Sequence, residues 1–385
     1  MQNKIIHSLI TKKSLAFLLV FAIGSIFSVQ AQHNAEVQIK TVFDQLVTAY
    51  GSAKSAPELT FMKANLKPET PAFYTNKTIK VDLQFYKLCQ TFGKDSLNAL
   101  SIVISHELAH YYYEHDFCSD FAFAIRHKSV QFSSGLKLIN KNQKVIYETQ
   151  ADDKGLFYAA IAGYDPFEIQ PKILDAIYKF YQLKEVNEGY PSKTERKAIA
   201  QNALVKSQKL YTTFQDALIA KEKKEYDKAV ALFETVNQDF PSRENYNNIG
   251  VIKTLKALDL KLSSLEENKF PNRFLYPLET DNKSRLERDN TRSTGNDNGT
   301  IMTLLKSAQK DFEKAISLDP NYTKAYINLA CVFDLLDNPE AAIGKIKELP
   351  LDKQVSIDAQ RILAIAYYHA DLEKKADDIW KELKM

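Results

Sequence analysis

The stretch Leu100-Ser-Ile-Val-Ile-Ser-His106-Glu107-Leu108-Ala109-His110 decides how the first half of the chain is read. The apolar residues from Leu100 to Ile104 lead directly into the two histidines, a pattern that predicts a buried helix. One turn separates His106 from His110, so both imidazoles share a face and can meet a single metal ion, with Glu107 beside them. Imidazole nitrogens at about 2.0 to 2.1 Å suit Zn²⁺, and a hydrolytic zinc site keeps one position for water. Zinc brings the pKa of that water towards neutrality, which makes Glu107 the candidate general base for attack on a peptide carbonyl. With 7 His in 385 residues, chance supplies only roughly 0.01 matches to this spacing. Accident is a poor account of it.

Such a site needs a third protein ligand, and Tyr147-Glu148-Thr-Gln-Ala-Asp152 offers one on a second helical pattern, 38 residues after His110. Glu148 and Asp152 are i and i+4 on one face. Glu148 is expected to hold the metal, and Asp152 to accept the far ring N–H of a ligand histidine and so fix its tautomer. Asp153 reads as solvated. His115 follows His110 by five residues, which on helical periodicity turns it away from the metal face and makes it a poor fourth ligand.

Around these motifs the pattern is mostly helical. Val42, Leu46, Val47 and Tyr50 recur at helical spacing and Gly51 follows as a stop. A polar, proline-containing stretch then runs to about residue 76. Lys77 to Asp82 alternates and is β-branched, the best strand candidate, either as an edge to which an extended substrate could add or as an interior strand. Helices are expected over about 83–92, 95–115, 145–162 and 165–183, with Gly93 and Gly163 as punctuation.

The second half carries a repeat. Ala308, Ala342 and Ala376 are 34 apart, as are Leu329 and Leu363, Ala330 and Ala364, and Phe333 and Tyr367. That is the tetratricopeptide (TPR) period, and Ala315 to Ala330 reads as a TPR helix-to-helix junction with Pro320 at the turn. An earlier repeat starts at Tyr226 and runs to Pro241, and Tyr246 to Gly250 opens the next. Gly250 and Ala308 are 58 apart where a TPR requires about 12, so about 46 residues are inserted, near 261–306. The aromatic part, Phe270 to Pro277, is expected to dock on its own domain, the alternative being a partner, and the polar part, Asn282 to Thr300, to stay mobile.

The apolar and charged fractions, 45% and 26%, are those of a folded protein of two domains. Lys4, Lys12 and Lys13 precede an apolar run from Leu15 to Phe27 that closes on Val29-Gln30-Ala31, so residues 1–31 read as a secretory signal cleaved after Ala31. The run falls short of the roughly 18 to 20 residues of a membrane span, and no stable membrane insertion is expected after cleavage. Losing three Lys and no acid takes the formal charge from +3 to 0, which argues against a nucleic-acid partner. Cys89, Cys118 and Cys331 form no C-x-x-C pair. Cys89 and Cys118 could bridge, or remain buried thiols.

These residues resemble a known family, the gluzincin zinc metallopeptidases that include the CAAX prenyl protease and the HtpX heat-shock protease. The resemblance covers roughly residues 80–200. It rests on His106 to His110 continuing to His115, on Glu148-x-x-x-Asp152 followed by Ala-Gly-Tyr-Asp-Pro166, and on Pro191-Ser192 with Arg196 downstream. Exported soluble members with a TPR tail are most similar. The resemblance implies one Zn²⁺ per chain, peptide or protein substrates, a periplasmic or else extracellular location, and quality control of envelope proteins. Members often place His where this chain has Tyr190, whose phenol is a candidate hydrogen-bond donor to the tetrahedral oxyanion. The alternative is that Tyr190 only packs before a helix with a Ser192–Glu195 capping box. The expected architecture is α+β and mainly α. It comprises a zincin-type metallopeptidase domain with a small sheet over 32–200, then an all-α TPR superhelix over 201–385 that recruits substrate or a protein partner. The rival reading is a non-catalytic TPR adaptor or chaperone with a latent metal site.

Overall fold

The computed structural model describes residues 32–52, 54–62, 70–75, 77–115, 141–186, 191–261, 265–281 and 298–385. The expected signal segment, Cys118, Tyr190 and most of the polar insert lie outside the described residues. Two compact units are formed, one of Met1–Val47, Ala56–Ala159 and Tyr164–Leu204, the other of Thr48–Ser55, Ala160–Gly163 and Val205–Met385. The described residues are mostly helical with one small sheet.

Helix α1 spans 32–50, and its part in the first unit buries Ile39, Val42, Phe43 and Leu46. The sheet has strands β1 (Glu58–Met62), β2 (Ala72–Thr75) and β3 (Thr78–Asp82), in the order β1-β3-β2. The strand expected over 77–82 is therefore the middle one, and both of its edges are paired. β1 runs parallel to β3 with Glu58 opposite Thr78, and β2 runs antiparallel with Tyr74 opposite Ile79. Lys77, just before β3, takes φ 64°.

β1 and β2 fall within the polar, proline-containing stretch before residue 77, for which no strand is expected from the sequence. They are 5 and 4 residues long, too short for a clear alternation of their own, and partners some twenty residues away define β1. β3 leads directly into α2 (Leu83–Gln90), whose first turn is capped by Asp82 accepting the Gln84 N–H at 3.0 Å. Next comes α3 (Ser96–Tyr112), which carries the histidines and is buried almost all round, packing on β2 and α2. The unit continues with α4 (Lys141–Ile161), α5 (Gln170–Phe180) and the start of α6 (Lys193–Glu222). α6 opens on a reciprocal capping box: Ser192 N–H donates to Glu195 Oε2 at 2.7 Å, and Glu195 N–H to Ser192 Oγ at 3.3 Å. Cys89 is a buried free thiol, and burial pushes its pKa well up.

Every regular element among the described residues of the second unit is a helix. It continues through α7 (Tyr226–Asp239), α8 (Arg243–Leu260), the short α9 (Leu265–Lys269), α10 (Asn298–Leu318), α11 (Thr323–Leu335), α12 (Pro339–Lys347), a turn of helix α13 (Leu351–Gln354), α14 (Ile357–His369) and α15 (Glu373–Glu382). Consecutive long helices pack on one another, and α8 packs on α10 across the insert. Ala308, Ala342 and Ala376 are fully buried, so the small residues spaced 34 apart sit where helices approach. The turns repeat as well, with Asp337 at φ 60° and Asp371, 34 residues on, at φ 58°. Gly250 shows why a small residue is needed in α8: a Cβ there would lie 2.8 Å from the Phe312 ring of α10.

The insert docks on its own unit. Phe274, Tyr276 and Leu278 join the core formed by α8, α10, α11, α12, α14 and α15. Beyond them the extended backbone is gripped by asparagines. Asn247 and Asn328 donate to Glu279 O at 3.0 and 2.9 Å, while Asn248 donates to Asp281 O at 3.0 Å and accepts the Asp281 N–H at 2.7 Å.

Candidate metal centre

α3 and α4 bring three buried side chains to one point. His106 Nε2 and His110 Nε2 are 3.0 Å apart, His106 Nε2 lies 3.4 Å from Glu148 Oε2, and His110 Nε2 lies 3.7 Å from Glu148 Oε1. Ligands at about 2.05 Å in a tetrahedron are separated by about 3.3 Å, so in this triangle of side chains the two nitrogens, and each nitrogen with its nearer Glu148 oxygen, are separated by about what a zinc shell requires. Two nitrogens and one carboxylate, all buried and within 4.8 Å of one another, could hold such an ion. Among the described residues it is the one group of this kind.

The close approach of the helices depends on Gly155. It follows Glu148 by seven residues and Asp152 by three, on the same face of α4. A Cβ at Gly155 would lie 3.0 Å from the His106 backbone N and 3.1 Å from its Cα. Sequence reading passed over this glycine, although the i, i+4, i+7 pattern with Glu148 and Asp152 was available to find it.

Each histidine has a partner behind it. His106 Nδ1 is 2.9 Å from Asp152 Oδ1, so its Nδ1–H donates to the carboxylate and the Nε2 lone pair faces the triangle. Arg196, 2% exposed, donates in turn to Asp152 through Nη1 at 2.8 Å and Nη2 at 3.3 Å, and its Nη2 lies 3.7 Å from Glu148 Oε2. Burial raises the Asp152 carboxyl, but the Arg196 charge and the His106 contact outweigh it and hold the pKa down to about 2. Burial, then the charges of His106, His115 and Arg196, hold His110 well below the usual histidine range.

His115 does not point away, which corrects the periodicity argument. α3 stops at Tyr112, and Glu114 takes φ 55°. The N–H of His115 donates to His110 O at 3.0 Å and that of Glu114 to Tyr111 O at 3.4 Å, the Schellman pattern of helix termination. The reversal swings His115 back over the last turn, where its Nδ1 is 3.0 Å from His110 Nδ1. Its ring stacks on Tyr147 with centroids 4.6 Å apart, and burial takes its pKa down to about 4 despite the Gln150 contact. It is behind a candidate ligand and is not itself among the three.

Glu107 is fully buried, and its Oε2 accepts the Tyr74 N–H at 2.9 Å. Tyr74 belongs to β2, an outer strand of the sheet, and this amide points away from β3. On the Asp152 side, a cavity of about 40 Å³ adjoins His106 and Arg196 and is walled by Ile102, Val103, Leu156, Ile173, Leu174 and Ile177.

No family model matches the sequence, and no curated protein matches it. Among solved structures, a human IFIT1 dimer with m7Gppp-AAAA is 14% identical, with 78% of this chain and 53% of that chain covered and a TM-score of 0.36. An IFIT1 monomeric mutant with Gppp-AAAA is also 14% identical, with 77% and 65% covered and a TM-score of 0.31. The chain thus spans about half to two thirds of those chains, and at such TM-scores the likeness says nothing about its site or its ligands.

Proposed function

We propose that the chain is a zinc-dependent endopeptidase in which His106, His110 and Glu148 hold the metal and Glu107 is the general base. The observation that carries this reading is the convergence of His106 Nε2 and His110 Nε2, 3.0 Å apart, on the Glu148 carboxylate, whose Oε2 and Oε1 lie 3.4 and 3.7 Å from them, with a fully buried carboxylate, Glu107, next in sequence to His106. A structural zinc site has no use for that carboxylate. Zinc held there would polarise a peptide carbonyl and make water acidic enough to lose a proton near neutral pH.

The chain's own residues do the rest. Glu107 receives the proton, and the Tyr74 N–H fixes the direction of its carboxylate. Asp152 keeps the His106 proton on Nδ1, and Arg196 keeps Asp152 ionised. The outer strand β2, beside Glu107, suits an extended substrate backbone, which favours unfolded or flexible segments. The cavity walled by Ile102, Val103 and Ile173 suits an apolar side chain.

The helical unit is read as a TPR superhelix that recruits substrate or a protein partner. Its asparagines already grip an extended backbone at Glu279 and Asp281, which supports a surface suited to peptides. The same feature favours the second reading, a non-catalytic adaptor with a latent metal site. Misassembled or unfolded envelope proteins are the proposed substrates, as the family resemblance implies.

Zinc content and cleavage of casein by the intact chain and by Glu107→Gln separate the two. Zinc in both proteins with turnover only in the first supports the peptidase. Zinc in both without turnover in either supports the adaptor, and internal cuts rather than stepwise trimming identify an endopeptidase.

A further inference from the structure

Two groups, His115 and Gln150, stand in series behind His110. Gln150 Oε1 is 2.9 Å from His115 Nε2, His115 Nδ1 is 3.0 Å from His110 Nδ1, and His110 Nε2 is a corner of the triangle. A neutral imidazole has one ring proton, so of two facing Nδ1 atoms one donates and the other accepts. With the Gln150 carbonyl accepting, the His115 proton is on Nε2, its Nδ1 is bare, and the His110 proton must be on Nδ1. His110 Nε2 then presents a lone pair towards His106 and Glu148. The opposite polarity, with the Gln150 amide nitrogen donating, places the His110 proton on Nε2 and closes that corner to a cation.

We propose that His115 and Gln150 are positioning residues that set the tautomer of His110 and thereby decide whether its Nε2 can ligate a divalent cation. The consequence for binding rests on the zinc reading above; the tautomer does not. The two histidines of the triangle are then controlled differently. Asp152 is a carboxylate and can only accept, so His106 has one polarity. The His115–Gln150 chain can be written in two directions, and its amide end chooses. Placement of the middle ring is tightly determined: His115 is 2% exposed, stacked on Tyr147 and tied by its backbone N–H to His110 O.

The test uses the full chain and three variants, His115→Phe, Gln150→Glu and Gln150→Leu. Zinc affinity is measured by competition with a chromophoric chelator, and the His110 tautomer by long-range ¹H–¹⁵N spectra of the metal-free protein. Wild-type His110 should carry its proton on Nδ1. His115→Phe keeps the ring stack but removes the acceptor, and should weaken zinc about 10- to 100-fold and lose that tautomer signature. Gln150→Glu can only accept, and should keep both the tautomer and the affinity within about twofold. Gln150→Leu changes an exposed residue, so folding is not at issue, and should give mixed His110 tautomers with weaker zinc. The proposal is overturned by a wild-type His110 protonated on Nε2, or by a folded His115→Phe that binds zinc like wild type. A wild-type chain that takes up no zinc overturns the metal reading instead, while the spectra of the metal-free protein still decide the tautomer.

Discussion

A Cβ at position 155 would stand 3.0 Å from the backbone nitrogen of His106, so the two helices of the candidate metal centre meet through a glycine and a main chain. Nothing flexible lines that contact. Glu148 reaches the histidines because Gly155, two turns on, lets α4 lie this close to α3.

Gly155→Ala should therefore force the helices apart, costing about 1 to 3 kcal/mol of stability and weakening zinc. Gly344→Ala should do the opposite: a Cβ there meets nothing within 4 Å, and the helix-propensity gain is up to about 1 kcal/mol. Thermal unfolding of the two variants, metal-free and with zinc, checks both signs. A destabilisation of equal size at both positions would contradict the contact.

Arg196→Leu removes the donor to a carboxylate buried behind His106 and should cost about 3 to 5 kcal/mol. Its pH dependence identifies the cause. Asp152 has its pKa lowered to about 2, against about 3.9 when unfolded. The stability this confers is present above pH 4 and is lost as pH falls from 4 towards 2. In Arg196→Leu that part of the acid limb should flatten, as read by denaturant unfolding of the metal-free protein between pH 2 and 5.

Glu114→Gly should stabilise the chain. Glu114 sits at φ 55° at the end of α3, a conformation that costs a residue with a Cβ about 1 to 2 kcal/mol, and glycine avoids the cost. A net gain of up to about 1 kcal/mol in thermal melts is expected after the entropy of the unfolded glycine is subtracted. A loss would mean that the reversal placing His115 over His110 depends on the Glu114 side chain.

In the helical unit, Gly250→Ala should destabilise, because its Cβ meets the Phe312 ring at 2.8 Å. Phe312→Leu should cost stability alone but partly rescue Gly250→Ala. The double-mutant cycle should give a coupling of about 0.5 to 3 kcal/mol. Strict additivity would place the two residues out of contact.

Local patterns made much of this protein legible. The one-turn spacing of His106 and His110, the i, i+4 pair Glu148 and Asp152 and the 34-residue spacing of Ala308, Ala342 and Ala376 are all statements about one helix or one repeat, and such periodicities are written in sequence. The aromatic insert was recognisable as apolar enough to dock on its own unit, and Phe274, Tyr276 and Leu278 do so.

Other features depend on what lies across a gap in sequence. β1 and β2 exist because β3 is there to pair with them, and their 5 and 4 residues carry no signal that survives without a partner. His115 was misjudged because helical periodicity was extended past Tyr112, where the backbone reverses at Glu114. The asparagines that hold Glu279 and Asp281 look like surface residues until the inserted segment is laid over them.

By itself the sequence determined which side chains could share a metal and which half of the chain repeats, because both follow from the fixed rise and rotation of a helix. Only the tertiary structure decided that α4 lies close enough to α3 to bring Glu148 within 3.4 Å of His106, that Arg196 backs Asp152, and that His115 folds over His110. Those distances are set by packing between elements far apart in sequence. There the determining quantities are burial, steric clearance at Gly155 and the hydrogen bonds that buried polar groups must find.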